Sequence, residues 1–149
     1  MSRKGQQVKT YISFFLSFAL FSLVQAKTGC NTSYSEANDI FQMCLGHSSA
    51  TTGCDQFNDN TTPLARAFCL GSVQSTQGNC DLLAGGSLAK SVCMGLKYSR
   101  SNQGCRPLYG QKSYDICVAK QNSSSESTCH LRQLNSVIHR ICVAFALAK

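Results

Sequence analysis

Ten cysteines are the residues of this 149-residue chain whose type and spacing most directly indicate chemistry. They are Cys30, Cys44, Cys54, Cys69, Cys80, Cys93, Cys105, Cys117, Cys129 and Cys142. Successive cysteines are separated by 10 to 15 positions, so no two share a helical turn. An even number of widely spaced cysteines is typical of an exported scaffold that is held together by disulfides.

Metal and redox chemistry require a closer spacing than this chain has. Structural zinc sites usually take ligands in pairs that are only a few residues apart, and no such cysteine pair exists here. A redox centre of the thioredoxin type needs Cys-x-x-Cys, which is also absent. The spacing therefore predicts no metal site and no cofactor, with all ten cysteines in disulfides.

No other pattern in the sequence predicts catalysis. The histidines are His47, His130 and His139. They form no His-Glu-x-x-His motif, and we interpret His47 as a residue of a connector. The stretch Ser87-Leu88-Ala89-Lys90 matches the Ser-x-x-Lys pattern of penicillin-interacting serine enzymes, but the accompanying motifs are missing. We therefore predict no catalytic residues and no enzymatic activity.

Residues 1–26 have the pattern of an export signal. A positively charged start precedes the apolar run from Tyr11 to Val24, and Ala26 is a small residue of the kind that signal peptidases prefer. The run is shorter than the roughly 20 residues that span a bilayer, so a retained N-terminal anchor is the weaker alternative. We expect residues 27–149 to form a single cysteine-rich domain that is secreted and extracellular, or periplasmic in a bacterium.

The charge of the chain is concentrated in its C-terminal half. The full chain carries +7, and residues 27–149 carry +4 from eleven basic and seven acidic residues. Residues 27–80 have a net charge of −2, whereas residues 81–149 have a net charge of +6. This asymmetry predicts a basic binding face formed by Lys90, Lys97, Arg100, Arg106, Lys112 and Lys120.

A basic face of this kind favours an acidic protein or an acidic surface as the partner. The charge pattern alone favours a solvated basic surface over a binding surface. Because the chain has no dense Lys/Arg block interleaved with aromatic residues, we expect no nucleic acid. The segment from His130 to Lys149 is interpreted as a core helix rather than a membrane-active basic helix, so membrane contact is not expected.

The cysteines also divide the chain into five units of about 25 residues. In each unit the second cysteine lies between two apolar residues, and a small residue follows. The small residues are Gly46, Gly71, Gly95, Ala119 and Ala144. We interpret this pattern as the end of a helix with a left-handed glycine cap. Thr62-Pro63 and Ser87 predict helix starts. The predicted fold class is all-α: a small disulfide-rich helical repeat array that forms one compact domain.

The helix interpretation determines which disulfides are expected. Cysteines at opposite ends of one helix would be about 20 Å apart, whereas the Cα atoms of a disulfide lie within about 7 Å of each other. The favoured scheme therefore joins neighbouring units: Cys44–Cys54, Cys69–Cys80, Cys93–Cys105 and Cys117–Cys129, with Cys30–Cys142 joining the two ends. The alternative scheme links the start of one helix to the end of an antiparallel neighbour.

Three sequons for N-glycosylation occur, at Asn31, Asn60 and Asn122. The third lies in a serine-rich connector, where we expect an exposed side chain. The sequence as a whole predicts a secreted, disulfide-stabilised, non-enzymatic binding protein that is monomeric or weakly oligomeric. The alternatives are a secreted toxin, defence or inhibitor protein that acts on an acidic target or membrane surface, and a small hydrolase or redox enzyme.

Overall fold

The computed structural model describes residues 29–30, 37–77, 80–130 and 136–149. The predicted export signal and Asn31 lie outside these residues. The helices are α1 (Ala37–Ser48), α2 (Pro63–Gln77), α3 (Leu88–Ser99), α4 (Lys112–Asn122), α5 (Glu126–His130) and α6 (Ser136–Leu147). Single 3₁₀ turns lie at Ser49–Thr51, Cys80–Leu82 and Arg106–Leu108. The described part of the chain contains no strand, so the all-α prediction is confirmed.

Two helices begin where the sequence predicts. Pro63 is the first residue of α2, a position where its fixed φ suits a helix and its missing N–H costs nothing. Ser87 is the N-cap of α3, and its hydroxyl accepts a hydrogen bond from the Lys90 N–H at 3.1 Å. Ser87 therefore has a structural role at the start of α3.

The predicted helix ends are wrong. Gly46, Gly71 and Gly95 lie inside α1, α2 and α3, and none of the three has a positive φ. Each is instead a point of close approach to the next helix. A Cβ at Gly71 would lie 2.8 Å from the Ala89 carbonyl oxygen, and one at Gly95 would lie 2.8 Å from Ile116 Cγ2. The three glycines thus permit close helix contact, and none of the five small residues terminates a helix.

All ten cysteines form disulfides, which confirms that prediction. The pairs are Cys30–Cys44, Cys54–Cys69, Cys80–Cys93, Cys105–Cys117 and Cys129–Cys142, with Cα–Cα distances of 5.6 or 5.7 Å. Every bond therefore lies within one predicted unit. Both predicted pairing schemes are wrong, including the favoured bonds Cys44–Cys54, Cys69–Cys80, Cys93–Cys105, Cys117–Cys129 and Cys30–Cys142.

The pairing prediction failed because the first cysteine of a unit does not lie on the long helix. Cys54 begins a turn in which the Phe57 N–H donates to the Cys54 carbonyl at 3.1 Å, and the Leu108 N–H donates in the same way to Cys105 at 2.9 Å. The chain then returns before the helix begins, so Cys54 lies against Cys69 in the middle of α2. The 20 Å separation assumed from the sequence does not arise.

The five long helices form a closed ring. Helix α1 packs on α2, α2 on α3, and α3 on α4, while α6 packs on both α4 and α1. Helices α1 and α6 run side by side in the same direction. Asp39 and Arg140 form a 3.0 Å ion pair near the helix starts, and His47 contacts Phe145 near the helix ends. The first and last helices therefore meet, although no disulfide joins them.

One core cluster fills the ring. It includes the apolar residue that precedes each second cysteine, and all five are buried: Met43, Phe68, Val92, Ile116 and Ile141. The pattern therefore identified the inward face of each helix, even though it misplaced the helix ends. Among the described residues, no helix combines the length and the apolar character needed to span a membrane.

Candidate binding site

The third residue after each second cysteine belongs to one layer at the centre of the ring. These residues are His47, Ser72, Leu96, Lys120 and Phe145, which we call the central layer. His47 contacts three of the others, which lie on three different helices. Leu96 and Phe145 are fully buried in the same core cluster. Equivalent positions on five helices therefore place a polar group inside an otherwise apolar core.

His47 lies between a hydroxyl group and an amine. Its Nδ1 is 2.6 Å from Ser72 Oγ, and its Nε2 is 3.3 Å from Lys120 Nζ. Because an ammonium group can only donate, Nε2 accepts from Lys120 and the Nδ1–H donates to Ser72. Burial lowers the pKa of His47 from 6.5 to about 3, with further contributions from Lys120 and Arg100. His47 is therefore neutral at pH 7 and fixed in one tautomer.

Lys120 is a partly buried cation that forms no ion pair with a carboxylate in the described part of the chain. Its Nζ lies 4.8 Å from the centre of the Phe145 ring, in position for a cation–π contact. The ion pairs found within the described residues use other basic groups: Arg66, Lys90 and Arg140. Burial, together with the nearby charges of Arg100 and Lys149, lowers the pKa of Lys120 to about 8. Lys120 thus carries a positive charge that is partly buried against the aromatic ring of Phe145.

The six basic residues predicted to form one face lie in different environments in the structure. Lys97 and Arg100 are exposed on and just after α3, and Arg106 is exposed before α4. Lys90 forms a 3.3 Å ion pair with Asp81. Lys120 is partly buried, and its amine contacts His47 and the Phe145 ring. Its environment therefore differs from that of the exposed basic residues.

Two clefts flank the segment that leads into α4. The first has a volume of about 470 Å³, and its walls include Arg106, Tyr109, Tyr114 and Gln121. The second, of about 390 Å³, has Lys90 and Lys112 in its wall. We call the surface formed by Lys90, Arg106, Tyr109, Lys112 and Tyr114 the two-cleft surface. It brings together three of the six predicted basic residues.

Tyr109 is an exposed aromatic side chain on the two-cleft surface. It is 80% exposed, and its ring meets that of Tyr114 edge to face at 5.3 Å between centroids. The tight turn that carries it is completed by Gly110, which has a φ of 81°. Tyrosine and arginine are enriched where protein interfaces derive most of their binding energy. The charge pattern of the sequence did not identify Tyr109.

The two described sequons differ in how exposed their asparagine side chains are. Asn60 is exposed in the turn before α2. At the other sequon, Asn122 is the last residue of α4, and its Nδ2, the atom to which a glycan would be attached, is buried without a hydrogen-bond partner. The prediction of an exposed Asn122 side chain is therefore wrong.

The other histidines lie apart from the central layer. His130 ends α5 and His139 lies in α6, with Nδ1 and Nε2 3.1 Å apart. No cluster of three or more potential metal ligands occurs among the described residues. His47 was wrongly assigned to a connector, since it lies in the last turn of α1. Its constant offset from the second cysteine, shared with Ser72 and Lys120, is the signal that would have identified it.

Comparison with known proteins gives no relatives for this ring. No protein family model matches the chain, and no curated protein or solved structure matches it. Function is therefore argued from the residues and their geometry alone.

Proposed function

We propose that this protein is a secreted, non-enzymatic binding protein that holds an acidic partner protein against its two-cleft surface. In this proposal the five units act as a helical repeat array that serves as a rigid scaffold. The observation that carries the proposal is the exposed Tyr109, packed on Tyr114 beside Arg106 at the wall of a 470 Å³ cleft.

The side chains of this surface suit protein recognition. Tyr109 is held by its contact with Tyr114, so little side-chain entropy is lost when a partner covers it. Arg106 can form two parallel hydrogen bonds to one carboxylate. Lys112 on the other side of the same segment adds a second positive charge. An acidic segment that crosses the loop would contact all three.

Secretion is supported by the covalent structure. Five disulfides in a chain of this size are typical of proteins that fold in an oxidising compartment. Each bond closes a loop of 12 to 15 residues, which removes roughly 3 kcal/mol of unfolded-chain entropy in the simplest treatment. Such stabilisation suits a small binding protein that functions outside the cell.

The test is selection of a random displayed-peptide library on the oxidised protein, followed by affinity measurements on variants. We expect selected peptides to be rich in Asp and Glu. Arg106→Glu and Tyr109→Ala should each weaken binding about tenfold or more, as expected for central interface residues. Lys97→Glu is the matched control, since Lys97 is exposed but lies in the wall of neither cleft.

Two results would contradict the proposal. One is a set of selected peptides without acidic enrichment. The other is binding that the control variant reduces as much as the Arg106 and Tyr109 variants do. Leakage of anionic liposomes at micromolar protein, lost in Arg106→Glu, would instead favour the toxin alternative.

A further inference from the structure

Two exposed cations lie one helical turn beyond the central layer. Arg100 and Lys149 each follow the second cysteine of their unit by seven positions, four residues after Leu96 and Phe145. Arg100 directly follows the last residue of α3, and Lys149 lies two residues after α6, so each continues beyond the central-layer residue of its own helix. A contact supports this placement, because Lys149 Nζ donates at 2.8 Å to the carbonyl of Ser124, the corresponding residue after Cys117.

The charge interactions of Arg100 and Lys149 with the central layer support the same placement. Arg100 is close enough to His47 and Lys120 to lower the pKa of both, and Lys149 lowers the pKa of Lys120. Among the described residues, burial and neighbouring basic groups are the causes of both shifts. The polar and basic side chains around Lys120 therefore come from α1, α2, α4 and the residues just after α3 and α6.

We propose that Arg100, Lys120 and Lys149 together bind one oxyanion group, a carboxylate or a phosphate. The exposed pair attracts the anion, and the half-buried Lys120 receives the counter-charge that it lacks in the protein alone. The arginine contributes a planar pair of donors, and the lysines contribute point charges. This site lies on residues outside the two-cleft surface and takes a small anionic group, so it does not depend on the proposed partner protein.

His47 reports on this site because Lys120 Nζ touches its ring at 3.3 Å. The test follows the imidazole NMR signals of His47 at pH 7 during titration with sodium phosphate and, separately, with sodium acetate. Sodium chloride at matched ionic strength is the reference for both titrations. The imidazole signals that disappear in the His47→Gln variant are assigned to His47.

We expect a saturable shift of the His47 signals with at least one oxyanion and only a small, non-saturating change with chloride. Lys120→Met and Arg100→Gln should each weaken the apparent affinity at least fivefold. Lys112→Met, which removes a lysine of the second cleft, should leave it unchanged. Arg100→Gln changes an exposed residue, so it provides the test even if Lys120→Met alters folding.

Saturation with phosphate alone identifies the site as a phosphate site, and saturation with acetate alone or with both anions identifies carboxylate recognition. The proposal is overturned if both anions act like chloride. It is also overturned if Arg100→Gln leaves the affinities of both anions unchanged. Because Arg106→Glu should not alter these titrations, failure of the two-cleft proposal leaves this result intact.

Discussion

A histidine that hydrogen-bonds a serine on one side and a lysine on the other is the most unusual residue in this ring. His47 stays neutral because burial and two nearby cations oppose its protonation. Neutral His47 accepts from Lys120, and this contact holds Lys120 over the Phe145 ring. The contacts of the central layer therefore depend on the protonation state of one imidazole.

The free energy of unfolding should fall as the pH is lowered through the range in which only unfolded His47 binds a proton. The unfolded imidazole titrates near 6.5 and the folded one near 3, so the stabilisation is complete above pH 6.5 and is lost towards pH 3. The His47 contribution is as much as about 5 kcal/mol, at about 1.4 kcal/mol per pKa unit. Urea unfolding of the oxidised protein at several pH values measures it.

His47→Gln is the variant that isolates this contribution, since glutamine does not titrate. Its stability should depend less on pH between 6.5 and 3 than that of the native chain. Parallel pH profiles for the two proteins would show that protonation of His47 is not opposed in the fold.

At the scale of the helix, a glycine inside a helix lies where a neighbouring helix approaches closely. Gly71 lies inside α2, and the Ala89 carbonyl and the Val92 side chain occupy the space where its Cβ would be. The interior of a helix otherwise disfavours glycine by about 1 kcal/mol relative to alanine. For replacement of Gly71 by alanine, helix propensity therefore predicts a gain in stability, whereas helix packing predicts a loss.

We expect Gly71→Ala to lower the free energy of unfolding by about 1–3 kcal/mol, the usual cost of overpacking a core. Gly85→Ala is the matched control, because no atom lies within 4 Å of a Cβ at Gly85 and its φ is not positive. The control should change stability by less than about 0.5 kcal/mol. Chemical denaturation without reductant measures both variants, and stabilisation by Gly71→Ala would mean that α2 and α3 do not approach closely.

Local signals in the sequence predicted the helix starts and the inward faces but not the helix ends. Pro63 acts through its own fixed φ, and Ser87 acts through a hydrogen bond within one turn, so the sequence displays both signals directly. The glycine two positions after the second cysteine is ambiguous, since a glycine either caps a helix or allows a neighbouring helix to approach closely. Only the position of the next helix distinguishes the two roles. The same limit applies to His47 and Ser72, whose meeting depends on the register between helices.

At the scale of the whole molecule, each long helix has its own disulfide, and the ring is closed by packing. The contact of α6 with both α1 and α4 involves no covalent bond between units. The sequence displayed the number of cysteines but not their partners, because pairing depends on how the chain returns before each helix. A bond within a unit fixes one turn against one helix and leaves the helix-to-helix contacts to the apolar core.

Mass spectrometry of peptides from proteolysis without reduction tests this organisation most directly. The expected linked peptides contain the pairs Cys30–Cys44, Cys54–Cys69, Cys80–Cys93, Cys105–Cys117 and Cys129–Cys142. Native protein with bonds between neighbouring units, such as Cys44–Cys54 or Cys93–Cys105, would contradict the ring, its central layer and both binding sites derived from it.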